Sequence, residues 1–228
     1  MENQDTIQPE QPTNEIEELS HTDKIVGVIS EPSNLFSKLA FLSTKATDWL
    51  LPLFLLIIVA IVSTFIYMSN PEIKLEMQQQ QEKAMREQFQ KMVESGQMTQ
   101  QQVDEQLDKT AEMMNNPMII YLIPSISIFV IMLLWFFIFT TIAFLIAKFA
   151  FKGDGSYSQA MTAMGLSMYI SVLQSIILVI VGLLMGKMLT GLNPASLTGM
   201  DIKTLPGFLL SRLDVFSIWF YIVVGIAF

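Results

Sequence analysis

Three long runs without a charged residue constrain this chain more than any other feature. The first run, Trp49 to Met68, contains twenty uncharged residues, and the runs from Met118 to Ala147 and from Tyr157 to Gly186 contain thirty each. A helix rises about 1.5 Å per residue, so about twenty residues cross the roughly 30 Å apolar core of a bilayer. The three runs therefore predict transmembrane helices within 47–69, 118–150 and 158–187.

A fourth apolar run, Val215 to Phe228, contains only fourteen residues. Fourteen residues form about 21 Å of helix, which is short of the hydrocarbon thickness. We expect 214–228 to be the start of a fourth span that the sequence does not complete, with a re-entrant segment as the alternative. A short cytoplasmic turn, 151–157, and a loop, 188–213, connect the spans. The predicted fold class is all-α: a polytopic transmembrane helix bundle with four visible spans, the last incomplete.

Two segments precede the first span. Residues 1–23 carry seven acids and no Lys or Arg, and they show no apolar period, so we expect a disordered acidic tail in which His21 is solvated. Residues 24–46 place leucines at helical spacing, with Ser30 as the helix cap and Pro32 in the first turn. This pattern predicts an interfacial amphipathic helix with its apolar side in the membrane. An amphipathic helix packed on protein is an equally good interpretation.

Residues 70–117 are polar and rich in Gln and Met, without a long apolar run. Apolar residues recur at helical spacing on both sides of Gly96, and Thr99 with Gln102 matches a capping box. The segment predicts an extramembrane helical hairpin whose Met-lined faces pack on each other or on a partner. A solvated hairpin that only joins two spans is the alternative.

Charge and composition limit the chemistry. Of the net charge of −8, residues 1–23 contribute −7, which leaves 14 acids against 13 bases, or −1, for the rest; this excludes nucleic acid as an expected partner. The absence of Cys removes disulfides and thiolate sites. The uncharged runs contain no proton relay, buried ion pair or catalytic base. We therefore predict a protein that is not an enzyme and has no cofactor or metal, with membrane lipid and other membrane or membrane-associated proteins as partners.

The third run carries small residues at four-residue spacing, which is how helices approach each other closely in lipid. Gln174, its most polar side chain, is expected to face the bundle interior and to make an interhelical hydrogen bond. The predicted helix-packing residues are Ala163, Ser167, Ser171, Gln174, Ser175, Gly182 and Gly186.

The loop GDGS, Gly153 to Ser156, has the composition of a phosphate-binding turn. A phosphate-binding loop needs converging N–H groups and a Lys at fixed spacing, whereas here Lys152 precedes the glycines and Asp154 would repel a phosphate. We expect instead a tight turn in which Gly153 and Gly155 adopt positive φ and Ser156 caps the next helix.

Three segments carry a family resemblance: EPSNLFSKL before the first span, GDGSYSQAMTAMGLSMY at the start of the third, and SRLDVFSIWFYIVVGIAF at the end. Together they resemble the YIP-domain (Ypt/Rab-interacting protein) integral membrane proteins of bacterial type, over residues 24–228 with 70–117 as an insertion. The family motif corresponds here to Pro32, Phe36, Gly153, Gly155, Asp214, Phe216 and Trp219.

The resemblance implies a five-span membrane protein, and eukaryotic members are adaptors that bind Rab-type GTPases. The Asp-Leu-Tyr-Gly-Pro and Gly-Tyr-Gly motifs tied to that role are absent from this sequence, and bacterial members have no established activity. We expect an adaptor or membrane organiser in the bacterial cytoplasmic membrane. The alternative is a subunit of a transporter or channel that uses the polar stripe of the third span.

Orientation follows from the basic residues near the spans, which are concentrated on the side of the N-terminus and predict that the N-terminus is cytoplasmic and the hairpin outside. On the N-terminal side these are Lys38, Lys45, Lys148 and Lys152, and on the other side Lys74, Lys187 and Arg212.

Overall fold

The computed structural model describes residues 19–113 and 116–228, with ten α-helices and no strand in these ranges. Residues 1–18 of the predicted tail and 114–115 of the predicted hairpin lie outside the described residues. The helices are α1 His21–Ser30, α2 Pro32–Leu39, α3 Thr47–Ser69, α4 Pro71–Glu94, α5 Gln100–Met113, α6 Ile123–Leu145, α7 Tyr157–Met185, α8 Pro194–Thr198, α9 Leu205–Ser211 and α10 Val215–Ala227. Two π-helical turns, Met118–Leu122 and Ile146–Ala150, extend α6 at both ends.

Three helical segments are long and apolar enough to cross a membrane: α3, the continuous segment Met118–Ala150 around α6, and α7. Taken as one span, α9 and α10 would be a fourth such segment, bent by 54° at the break between them. Large apolar side chains such as Ile58, Ile131 and Ile222 are more than half exposed on the outside of the bundle, where lipid would cover them. The predicted all-α polytopic bundle is confirmed. The predicted 188–213 loop contains the short helices α8 and α9.

The central helix is α7. It packs on α1, α3, α6 and α10, and every residue from Thr162 to Ile170 is buried. A helix that is buried all round lies inside a bundle, because a lipid-facing helix leaves one side exposed. The first half of α7 is therefore the core around which the other helices are arranged.

The largest helix–helix contact, between α3 and α7, depends on two glycines. A Cβ atom added to Gly165 would lie 2.5 Å from Cβ of Trp49, and one added to Gly182 would lie 2.6 Å from the hydroxyl of Tyr67. At Gly165 the added atom would also lie 2.4 Å from the Trp49 Cα, so only glycine permits this approach to the α3 backbone, whereas Gly182 leaves room for the Tyr67 side chain. The Trp49 ring also stacks on Phe136 of α6, with centroids 5.4 Å apart.

The segment before the first span forms two helices rather than one. The first begins at His21, inside the predicted tail, because Ser20 and Asp23 form a capping box. Ser30 is the last residue of α1 and not a cap: its hydroxyl donates to the Val26 carbonyl. Pro32 is the first residue of α2, as predicted, and residues 43–45 form a non-helical connection to α3.

The apolar side of α2 faces protein. Leu35, Phe36 and Leu39 are buried in the main hydrophobic core, and α2 packs against α10. The apolar side of α2 therefore packs on protein, and the interfacial location of residues 24–46 stays a prediction.

The hairpin consists of α4 and α5, joined by a turn in which Gly96 has a φ of 73°. The predicted capping box is present: the backbone N–H of Thr99 donates to Oε1 of Gln102 at 2.9 Å, and the N–H of Gln102 donates to the Thr99 hydroxyl at 3.3 Å. At the base of the hairpin, Ile73 packs with Tyr67 and Val179, so α4 is attached to the ends of α3 and α7.

Candidate functional site along the central helix

A buried ion pair lies between α1 and α3. The ammonium of Lys24 donates to both carboxylate oxygens of Asp48, at 2.7 and 2.8 Å, and the two residues are 4% and 1% exposed. Asp48 lies in the first turn of α3, where the helix dipole favours a negative charge. The buried Asp48 carboxylate therefore has a positively charged partner and lies at a helix N-terminus that favours its charge. A charge removed from water requires such compensation.

His21 and Tyr169 extend this cluster to α7. Nε2 of His21 lies 2.5 Å from the hydroxyl oxygen of Tyr169, and Nδ1 lies 3.7 Å from Oδ1 of Asp48. The imidazole is 28% exposed, whereas Asp48 and Tyr169 are buried. His21 therefore connects the buried carboxylate and phenol to solvent. We name His21, Lys24, Asp48 and Tyr169 the N-terminal polar cluster.

Two sequence-based expectations fail at this cluster. A buried ion pair was not expected, because the uncharged run begins at Trp49, one residue after Asp48, while α3 itself begins at Thr47. His21 was expected to be solvated, and it bonds to the central helix instead. The pairing had no pattern in the sequence, since Lys24 and Asp48 are 24 positions apart on different helices. The only sequence feature that could have indicated this site is Asp48 itself, an acidic residue in the first turn of a predicted span.

A second buried carboxylate, Asp214, organises the start of α10. Its Oδ1 accepts from the N–H groups of Phe216 and Ser217 and from Nε2 of Gln174, each at 3.0 Å. Its Oδ2 accepts from the N–H of Leu192 at 2.7 Å. Gln174 thus makes an interhelical hydrogen bond, as predicted, and its partner is the aspartate that begins the last family-like segment.

The remaining predicted packing residues have different environments. Ala163 and Ser167 are buried, and the Ser167 hydroxyl donates to the Ala163 carbonyl. Ser171 and Ser175 are half-buried, and Gly182 contacts α3. Gly186 ends α7 with a φ of 66°, so its role there is to terminate the helix. Gly165, which the four-residue spacing did not include, makes the closest approach to α3.

Of the family-motif residues in the N- and C-terminal segments, Pro32 begins α2 and Phe36 lies in the core. Phe216 and Trp219 are partly buried on α10 and pack against the same core. Their rings lie 6.2 Å apart. The structure therefore brings Phe36, Phe216 and Trp219 to one hydrophobic core.

The GDGS turn differs from the prediction in its backbone. The positive φ belongs to Lys152, at 57°, and not to Gly153 or Gly155. Ser156 caps α7 as predicted, in a capping box with Gln159. Gly153 is close-packed instead, because an added Cβ would lie 3.3 Å from the carbonyl oxygen of Ala147.

This turn also lines a cleft of about 580 Å³ between the end of α2, the end of α6, the start of α7 and the end of α10, where Ala227 and Phe228 contribute. Apolar walls come from residues such as Phe36, Leu39 and Phe144, and Lys148, Asp154 and Gln159 add charged and polar groups. No local pattern in the sequence predicts this cleft, because its walls come from four separate parts of the chain.

Among the described residues, no three His, Asp or Glu side chains are grouped so as to hold a metal ion. The arrangement defines the class of the protein: an all-α polytopic membrane protein with two buried carboxylates, Asp48 and Asp214, in sites that α7 helps to form. Comparison with protein-family models, curated proteins and solved structures finds no match to this chain.

Proposed function

We propose that this chain is a non-catalytic integral membrane protein that binds other membrane or membrane-associated proteins, in the manner of the YIP-family adaptors that its motifs resemble. The observation that carries the proposal is the α4–α5 hairpin, a separate helical pair outside the bundle. Its first helix contains 24 residues, or about 36 Å of helix, and its main packing partners are α3 and α5.

The faces of α4 and α5 that are turned toward each other are partly or fully buried. Met85, Phe89 and Met92 of α4 are half-buried, and Val103 of α5 is 5% exposed. The predicted apolar faces therefore pack within the hairpin and leave the outer faces available. Those outer faces are polar and charged, with Glu82 and Arg86 more than half exposed. Such a surface suits a reversible protein interface with a polar rim.

The alternative, a transporter or channel subunit, requires an open path along the polar stripe of α7. Gln174 is instead engaged by Asp214, a carboxylate that is 5% exposed. The 580 Å³ cleft is lined by neither Ser171 nor Ser175. These observations favour an adaptor over a transporter or channel subunit.

We further propose a location in the bacterial cytoplasmic membrane with a cytoplasmic N-terminus. The start of α7 lies beside the segment before α3, because the hydroxyls of Thr44 and Ser158 are 2.6 Å apart. Lys45, Lys148 and Lys152 consequently share one side of the bundle, and basic residues are retained on the cytoplasmic side. The hairpin then lies on the opposite, outer side.

The adaptor proposal is tested by affinity capture of the full chain from its native membrane after photo-crosslinking. One variant replaces residues 75–113 with a short Gly-Ser linker, and a matched variant changes only exposed hairpin charges, Glu82→Gln with Arg86→Gln. We expect specific crosslinked proteins with the native chain, loss of all of them with the linker, and weakening of a subset with the charge variant. An unchanged set of crosslinked proteins after hairpin removal would contradict the proposal, provided that both variants keep the native melting temperature.

A further inference from the structure

We propose that the cleft between α2, α6 and α7 binds one zwitterionic phospholipid with a primary-amine headgroup. The proposal goes beyond the adaptor function, because it assigns a ligand to a site on the opposite side of the bundle from the hairpin. The GDGS turn and Lys148 would hold the headgroup, and the apolar walls would hold the start of an acyl chain.

The position of the cleft suits a lipid of the surrounding leaflet. Lys148 lies two residues before the end of the membrane-crossing segment Met118–Ala150, at the height where headgroups meet the hydrocarbon. The cleft extends from this level between Phe36, Leu39 and Phe144. Its volume of about 580 Å³ lies within the range of small-molecule sites, roughly 300–1,000 Å³.

An unpartnered polar group points to a ligand within the cleft. Thr162 lines the cleft and is 4% exposed, and its buried hydroxyl has no hydrogen-bond partner within the protein. Buried polar groups in native proteins are almost always bonded, so a ligand that reaches this residue would supply the missing partner. An ester carbonyl of a phospholipid is an acceptor at the junction of headgroup and chain, where the polar and apolar walls meet.

The two charges that line the cleft match a zwitterion. The Lys148 ammonium lies 5.3 Å from the centroid of the Phe144 ring, on the cleft wall, and α7 begins at the same place with its N-terminal dipole. Both favour a phosphate. Asp154 would repel a phosphate alone, but it would attract an ammonium attached to that phosphate. A single ligand with both charges satisfies Lys148 and Asp154 together.

A primary ammonium is favoured over a quaternary one because it can donate hydrogen bonds. Asp154 offers a carboxylate, which makes its strongest hydrogen bonds with charged N–H donors. A choline group has no N–H, and a glycerol headgroup has no positive charge. The cleft should therefore prefer phosphatidylethanolamine to phosphatidylcholine and to phosphatidylglycerol.

The experiment is native mass spectrometry of the full chain in detergent, titrated separately with the three lipids carrying identical acyl chains. We expect one tightly bound phosphatidylethanolamine and weaker binding of the other two. Lys148→Gln should weaken phosphatidylethanolamine binding about tenfold, as expected for loss of a charge-assisted contact. Asp154→Asn should reduce the preference for the primary amine over choline.

The matched controls are Lys152→Gln, which removes the neighbouring charge from a residue that does not line the cleft, and Asp201→Asn on the other side of the bundle. Neither should change lipid affinity. Melting temperatures of all variants establish that the bundle is intact. Equal affinity for the three lipids would overturn the proposal, as would equal effects of Lys148→Gln and Lys152→Gln. Partner capture by the hairpin is measured separately, so failure of this proposal is distinguishable from failure of the adaptor proposal.

Discussion

Lys24 donates two hydrogen bonds to Asp48, across 24 positions of sequence, from a site where both side chains are almost inaccessible to solvent. The pair attaches α1 to the first turn of α3. His21 and Tyr169 continue the attachment to α7, so four side chains hold the N-terminal helix against two long helices of the bundle.

Removing one partner of this pair should destabilise the bundle strongly. Lys24→Met leaves the Asp48 carboxylate buried and unpaired, which costs about 3–5 kcal/mol for buried pairs. A lower melting temperature in detergent measures the effect, and the double variant Lys24→Met with Asp48→Leu should recover much of it. Arg86→Ala, which breaks an exposed pair, is the control and should change stability by less than about 1 kcal/mol. Equal melting temperatures for Lys24→Met and Arg86→Ala would contradict the interpretation.

The α3–α7 contact should not tolerate a methyl group at Gly165. Gly165→Ala would place Cβ against Trp49 and push the two helices apart. We expect a clear fall in melting temperature. The control is Gly225→Ala on α10, where an added Cβ would meet nothing within 4 Å and helix propensity favours alanine by about 1 kcal/mol. The prediction fails if both alanine variants are equally stable.

Asp214 should contribute more to stability than Gln174, although they bond to each other. Asp214→Ala removes the cap of α10, typically worth about 1 kcal/mol, and also leaves the N–H of Leu192 unpaired. Gln174→Leu removes one interhelical hydrogen bond, worth about 0.6 kcal/mol on average. Asp214→Asn should retain most of the cap, since asparagine caps helices about as well as aspartate. Thermal unfolding of the three variants tests this order, and a larger loss for Gln174→Leu than for Asp214→Ala would reverse it.

The orientation can be tested directly because the chain has no cysteine. Ser95→Cys places a thiol at the exposed turn of the hairpin, and Ser43→Cys places one on the exposed segment before α3. With a cytoplasmic N-terminus, an impermeant maleimide should label Ser95→Cys in intact cells and Ser43→Cys only after the membrane is opened. The opposite labelling pattern would show the reverse orientation.

The long helices could be predicted from the sequence because a membrane span requires a continuous apolar stretch of a minimum length, which can be read along the chain. A span needs about twenty apolar residues whatever its neighbours are, so α3, α6 and α7 are visible as uncharged runs. The capping boxes at Thr99 and Ser156 were predictable for a similar reason, since each involves residues three positions apart.

Contacts between distant segments were not predictable in this way. The pairing of Lys24 with Asp48 depends on how α1 packs, and no local spacing encodes it. Small residues at four-residue spacing include Ser167 but not Gly165, because the position that faces α3 is fixed by the crossing of the two helices. The cleft was missed for the same reason. Gln174 makes the predicted interhelical hydrogen bond, but its partner Asp214 is 40 positions away and no local spacing indicates it.

The position of His21 against Tyr169 has a consequence for the order in which the protein assembles. The two residues are 148 positions apart, and a chain is synthesised from its N-terminus. The arm formed by α1 and α2 is therefore complete long before the helix that it covers exists. Until the first half of α7 emerges, Leu35, Phe36 and Leu39 have no central helix to pack against. The arm can therefore close only after α7 has been synthesised, and its contact with α10 forms later still.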